Sequence, residues 1–402
     1  MTVGTVPGAP WQLVALSVAM ILGMTPWFSA TVAAPGMIAE WGSAPATAAW
    51  LTITVQLGFV GGTFISATLL LSDRWSAKRF ATASAVTAGV ATILLALPST
   101  RPREAVALRF VTGMALAGVY PPGIKIAAGW WRAGRGMAIG VLVGALTIGS
   151  AAPNLFQLAV SGPEWRGIVV IAGLASIGSA LLFWFVIREG PYQAPSAPFD
   201  VAALAAILRD RGVMLATGGY LGHMWELYAM WSSISVFWAY VAADRHLGLG
   251  IVASLAFLTI ASGTLGCVVA GVAADRVGRS RVTVVAMVLS GTCALIIGSL
   301  VHAPLTVLTF VAVVWGISIV ADSAQFSALV TELAPSRYVG TAVTLQTCVG
   351  FLLTIVTIRL VPVWVGWWGW ERAYMPLALG PALGVIAMWR LSRYGRVVGV
   401  RI

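Results

Sequence analysis

The chain has 402 residues, of which 59% are hydrophobic and only 9% charged, and its mean hydropathy is +0.93. That composition leaves too little polar surface to clothe a soluble domain of this size, so an integral membrane protein is expected. A net charge of +11 would point to nucleic acid in a soluble protein, but here Lys and Arg sit in twos and threes between apolar runs and report topology instead.

A helix needs ~20 apolar residues to cross ~30 Å of hydrocarbon. Windows of that kind fall in chain order at 11–33, 47–71, 80–98, 105–127, 135–160, 166–187, 213–241, 250–271, 282–301, 305–330, 340–363 and 373–390. They predict an all-α integral membrane fold of about twelve spans. The first ten residues carry no Lys or Arg, and the apolar run after them is too long for a signal-peptide core, so a retained first helix is expected. If the loops after even-numbered spans face the cytoplasm, that side collects Arg74, Lys78, Arg79, Arg132, Arg135, Arg188, Arg209, Arg211, Arg276, Arg279, Arg281, Arg337, Arg390, Arg393, Arg396 and Arg401, while the opposite loops hold Arg101, Arg103, Arg166, Arg245 and Arg372. The asymmetry predicts a multi-pass protein of the cell membrane with both termini in the cytoplasm. Cys267, Cys293 and Cys348 all fall within spans, without metal-ligand spacing, and read as small core residues.

The longest polar interruption runs from Arg188 to Arg211 and carries Pro191, Pro195 and Pro198. It divides the chain into an N-terminal six-helix bundle (1–190), a cytoplasmic linker (191–211) and a C-terminal six-helix bundle (212–402). The halves are copies. Leu71-Ser-Asp73-Arg74-Trp-Ser-Ala-Lys78-Arg79 returns as Ala274-Asp275-Arg276-Val-Gly278-Arg279-Ser-Arg281, 202 residues later and again between spans 2 and 3 of its half. Arg135-Gly136-Met-Ala138 answers Val339-Gly340-Thr-Ala342, and Glu164-Trp165-Arg166 answers Trp370-Glu371-Arg372. Duplicated membrane units of this kind build secondary transporters.

These residues resemble the major facilitator superfamily. Its loop between helices 2 and 3 reads Gly, three residues, Asp, Arg, one residue, Gly, Arg and then Arg or Lys. Gly271-Val-Ala-Ala-Asp275-Arg276-Val-Gly278-Arg279-Ser-Arg281 fits it almost completely, whereas the first-half copy keeps Asp73, Arg74, Lys78 and Arg79 but lacks both glycines. Arg109-Phe-Val-Thr-Gly113-Met-Ala-Leu-Ala-Gly118 is similar to the family's fourth-helix signature, and Glu332 to its acidic residue after helix 10. The resemblance implies two pseudo-symmetric six-helix bundles, a substrate bound where the halves meet, and a role for Arg109 in coupling helix 4 to proton movement.

Candidate residues separate by depth. His223 and Glu226 lie ~15 and ~20 Å into span 7, near the bilayer midplane, and share a helix face with Tyr220. An ionisable group there is costly and is a functional candidate by default; the alternative is a static hydrogen bond holding span 7 to a neighbour. Asp322 and Gln325 lie three apart in span 10 and can take a cation, a proton or a substrate, or simply bind helices together. Arg109, Lys125 and Arg359 lie near predicted span ends, where snorkelling competes with an inward role that favours an anionic substrate. Tyr120, Gln56, Asn154 and Gln346, with Trp27-Phe28 as aromatic wall, complete the binding candidates; Trp130, Trp131, Trp364, Trp367, Trp368 and Trp370 read as interface belts. Asp73, Arg74, Arg79, Asp275, Arg276, Arg281 and Glu332 are candidate latch groups that hold the inner mouth closed. Tyr120-Pro121-Pro122-Gly123 must break or kink span 4, and Gly140, Gly144 and Gly149 leave room for close helix approach.

Secondary active transport of a small solute is therefore expected, proton-coupled and tilted toward an organic or inorganic anion. Export of amphipathic compounds or drugs and a transporter-like membrane sensor are the alternatives. No phosphate-binding loop or catalytic motif appears, so the reading is no enzyme, no catalytic residue, no metal and no cofactor, with an ion gradient as energy source. The expected partners are the substrate and the lipid bilayer, not nucleic acid, with a monomer as the working unit. In intact cells, a single cysteine at Arg393 should resist a membrane-impermeant thiol reagent while one at Ser99 is labelled; the reverse pattern would invert the topology.

Overall fold

The computed structural model describes residues 6–44, 46–131, 135–160, 164–193 and 199–398. Among these the chain is all helix, turn and loop, with no strand. Among the described residues nine helices are long and apolar enough to cross a membrane, and the pair Arg135–Ala151 and Pro153–Ala159, bent by 41°, makes a tenth if it is one span. Ala77–Leu94 and Arg211–Asp244 fill the positions of spans 3 and 7; polar residues dilute both, Lys78 and Arg79 in one and His223 and Glu226 in the other. This is a multi-pass membrane protein. The chain forms two compact units, Met1–Ser196 and Ala197–Ile402.

In the first unit, span 1 is two helices, Ala9–Met24 and Pro26–Trp41, joined at Thr25. The Thr25 hydroxyl is 2.9 Å from the Ala172 carbonyl of span 6 and 2.8 Å from that of Leu22, so the joint is satisfied without water. Span 4 also breaks, but not within the double proline. It stops at Leu116 and resumes at Tyr120, placing the prolines in the first turn of Tyr120–Ala128, where a missing N–H costs nothing. Span 10 of the second unit breaks at the matching place, between Leu305–Ala321 and Ser323–Leu333, with Asp322 as the joint and no proline to force it.

Helices 2 and 4 of each unit cross at glycines. A Cβ on Gly113 would strike the Val55 carbonyl, and one on Gly58 the Phe110 carbonyl; in the second unit Gly316 meets Thr259 and Gly266 meets Ile317 in the same way. Such small-residue contacts let backbones approach closely where lipid offers no hydrophobic drive between helices. In span 5 a Cβ on Gly149 would strike the Ile21 carbonyl.

The loop duplicated in sequence is also duplicated in conformation. Gly278 adopts φ 96 and ψ 146, and Ser76, 202 residues earlier, adopts φ 65 and ψ 144 without the glycine that such backbone favours. Its hydroxyl accepts from the Arg79 N–H at 3.4 Å and caps span 3. The Glu189 carboxylate, after span 6, adds a contact to the Lys78 N–H at 3.1 Å.

Each unit is tied at its opposite end by an acid and an arginine on different helices. In the first, Glu40 takes both terminal nitrogens of Arg166 at 2.6 Å and the Trp165 indole N–H at 2.9 Å, while Arg166 Nε reaches the Ala96 carbonyl. In the second, Glu371 accepts from the Tyr240 hydroxyl at 2.8 Å, and Arg245 clamps the carbonyls of Val301 and Ala303.

Gly113→Ala and Gly316→Ala should each destabilise the purified protein by at least ~1–3 kcal/mol, since a rigid backbone must move to admit the methyl group. Gly366→Ala, with open space around it, should cost nothing. Thermal unfolding followed by size-exclusion fluorescence reads the difference.

Candidate functional site

The second unit holds a buried polar cluster built from four helices. Glu226, on the unbroken helix Arg211–Asp244, is 1% exposed. Its Oε1 accepts from the Trp315 indole at 2.7 Å and its Oε2 from the Ser290 hydroxyl at 2.9 Å. One turn toward the Arg211 end, His223 Nδ1 lies 2.8 Å from Asp322 Oδ1, near enough to pair as ions but off the hydrogen-bond line. His223 Nε2 is buried without a hydrogen bond. Asp322 stands at the break in span 10, seven residues beyond Trp315, a spacing that keeps the two on one face of the helix.

Aromatic rings surround these groups. Phe326 lies 5.6 Å from the His223 ring and 6.1 Å from Tyr220, which is itself 6.1 Å from His223. On the Asp244 side of Glu226, Trp315 packs edge-on against Tyr374 at 5.0 Å, and Phe237, Trp370 and Trp238 continue the stack. The Tyr374 hydroxyl is 2.9 Å from that of Ser233. Toward the Arg211 end the cluster continues in polar groups. Gln325 Oε1 accepts from Arg279 at 2.8 Å, and Arg279 in turn pairs with Glu332 at 2.8 Å. The short helix Ser323–Leu333 thus carries Asp322 at its head, Gln325 in its first turn and Glu332 near its end.

The first unit has a buried cation. Arg109 is 0% exposed and donates to three backbone carbonyls, those of Leu51 at 3.1 Å, Pro26 at 2.8 Å and Trp27. It fastens span 4 to span 2 and to the joint in span 1, so the snorkelling alternative is overturned. Among the described residues, no carboxylate of this unit is buried with it.

With this geometry, family comparison is decisive: the Major Facilitator Superfamily profile matches residues 16–357. The chain belongs to the Major Facilitator Superfamily. It is similar to the "MFS-type transporter pytF" of Aspergillus terreus, 27% identical over 170 residues, which is 42% of this chain and 55% of that protein. It is also similar to the "Probable sulfoacetate transporter SauU" of Cupriavidus necator, 26% identical over 249 residues, 56% of this chain and 57% of that one. The chain spans a little over half the length of the curated relatives it matches. Family and fold together make it a multi-pass membrane protein of that superfamily.

The remaining candidates lie on several helices of each unit. Gln56 and Gln346 are buried, and neither amide makes a hydrogen bond. Asn154 is buried and donates to the Ala151 carbonyl at 3.0 Å, Trp27 stacks on Phe59 at 4.9 Å, and Tyr120 is half-buried. Glu226 and His223 do not bond each other; each turns to a different helix. Arg359 is exposed, as snorkelling requires. Among the latch candidates Arg74, Arg79, Asp275, Arg276 and Arg281 are exposed, and the Asp73 side chain lies outside the described residues. Glu332 pairs with Arg279, a motif residue not singled out as a latch group. Trp130, Trp364 and Trp370 are buried and are not belt residues, whereas Trp367 and Trp368 are exposed.

Sequence reasoning missed Trp315, Ser290 and Tyr374. A Ser or a Trp in an apolar run carries no signal of its own; only the pairing with a known buried acid reveals it.

Arg109→Leu should destabilise the fold by ~3 kcal/mol or more, because three carbonyls lose their donor. Arg109→Lys should recover little of it, since one ammonium cannot span three helical segments. Thermal unfolding of the three proteins gives the order.

Proposed function

We propose that this transporter is a proton-coupled secondary carrier of a small organic anion, in which Glu226 loads and releases the proton. The observation that carries the reading is a carboxyl group 1% exposed with only an indole and a hydroxyl for partners. An ionised carboxylate in such surroundings is poorly compensated, and a proton is the simplest neutraliser. His223 and Asp322 form the neighbouring acid–base pair that senses its charge, and the Arg279–Glu332 pair is the latch that opens and closes as the carrier changes state. Each exposed ion pair is worth only ~0–1 kcal/mol, which suits a gate that must break repeatedly.

The anion preference is supported by Arg109. A buried guanidinium with no buried carboxylate among the described residues of its own bundle leaves a positive field in that bundle's interior. The relative named as a probable sulfoacetate transporter points the same way. Gln56 and Gln346, unpaired at some cost, are suited to hydrogen-bond a polar solute. Energy comes from the ion gradient, with no cofactor and no chemical change to the solute, and both termini lie in the cytoplasm. Export of an amphipathic compound remains the second reading, favoured by the aromatic lining around Tyr220 and Phe326.

A thermal-shift screen of small sulfonates and carboxylates should yield a stabilising ligand. Reconstituted protein should accumulate that ligand under an imposed proton gradient, and Glu226→Gln should still exchange it across the membrane while accumulating less than about a tenth as much. Accumulation indifferent to the proton gradient contradicts the coupling.

A further inference from the structure

We propose that Ser290 is a rotating hydroxyl that fits Glu226 in both of its charge states, and that with Trp315 it makes this site take a proton and refuse a metal cation. The inference rests on the reading of Glu226 as the proton-loading group and names what selects the ion.

The Ser290 hydroxyl has two partners, Glu226 Oε2 at 2.9 Å and the Met287 carbonyl of its own helix at 3.3 Å. One hydroxyl proton serves one of them well at a time. When Glu226 is ionised, Ser290 donates to Oε2. When Glu226 carries a proton on Oε2, that proton is donated to Ser290 Oγ, and the serine hydrogen turns to the Met287 carbonyl. Both states are hydrogen-bonded, no heavy atom moves, and the change from one to the other is a single torsion. A hydroxyl is needed because it both donates and accepts; a second indole or an amide N–H would serve only the ionised form.

Trp315 completes the selection. Its indole nitrogen is donor-only and lies 2.7 Å from Oε1, so it serves as donor to the carboxylate and to the carbonyl oxygen of the neutral acid alike. The same N–H turns its positive end toward the place a cation would occupy. Sodium or a divalent ion demands several oxygen ligands around it, whereas the groups fixed on Glu226 are one N–H and one hydroxyl. The other titratable groups about the site are His223 on the same helix, Asp322 at the joint in span 10, Cys293 one turn along from Ser290, and Tyr374 behind the Trp315 ring. None supplies a second carboxylate oxygen bonded to Ser290 or Trp315.

Infrared difference spectroscopy of the full-length purified protein, titrated with acid and base in sodium chloride and again in choline chloride, tests this without any substrate. A carbonyl band of a protonated buried carboxyl should titrate, vanish in Glu226→Gln, and keep its midpoint when choline replaces sodium. Ser290→Thr, which retains the hydroxyl, should titrate as the parent does, and Ser290→Ala should raise the midpoint by about one pH unit, because the hydroxyl bonds the ionised acid more strongly than the neutral one. Trp315→Phe guards against a serine variant that fails to fold, and should likewise move the midpoint. A midpoint that follows sodium, or that Ser290→Ala and Trp315→Phe both leave unchanged, overturns the proposal. A band that behaves as expected in a protein that carries no solute supports this site and contradicts the transport reading instead.

Discussion

The second bundle is organised around the cost of keeping a carboxyl group inside a low-dielectric interior. Glu226 is 1% exposed, and the fold answers with an indole on one oxygen and a hydroxyl on the other. Three helices converge to supply those partners: the long helix that carries the acid, the third helix of the bundle with Ser290, and the fourth with Trp315. The aromatic stack of Trp315, Tyr374, Phe237 and Trp370 packs rings against one side of the acid, while the buried His223 and Asp322 lie on the other. Polarity in this bundle is therefore directional, running from Glu226 through His223 and Asp322 toward Gln325, Arg279 and Glu332.

Duplication explains the architecture, and divergence explains the chemistry. Both units cross helices 2 and 4 on glycines and break helix 4 at corresponding points. The backbone of the repeated loop is kept even where serine replaces glycine. What differs is the charge placed within this common frame. The first unit buries a cation, Arg109, and spends it on backbone carbonyls; the second buries two acids and a histidine. At the break in helix 4 the first copy has Ala117 to Val119 and the second has Asp322, so one ancestral irregularity became a plain kink in one half and a charged joint in the other.

Much of the fold was legible in the sequence for simple physical reasons. A helix crossing hydrocarbon must be about twenty residues long and apolar, so the spans announce themselves, including the two that polar residues dilute. The depth of His223 and Glu226 could be counted from the span start. Their partners could not, because Ser290 and Trp315 lie far away in sequence on other helices, and a helix face fixes direction only once the packing is known. For Arg109 the same limit left two readings open, since one-dimensional distance from a span end allows escape to the interface as well as an inward role, and only the packing shows that the residue faces the joint of span 1. Trp130, Trp364 and Trp370 were likewise assigned by height alone, when rotation about the helix decided that they are buried.

The central claim is that Glu226 exchanges a proton as the carrier works. Adding a transported ligand to lightly buffered, purified protein and recording the pH tests it most directly. The account predicts a net proton uptake or release per ligand bound in the parent protein that disappears in Glu226→Gln. The same proton count in both proteins would contradict it.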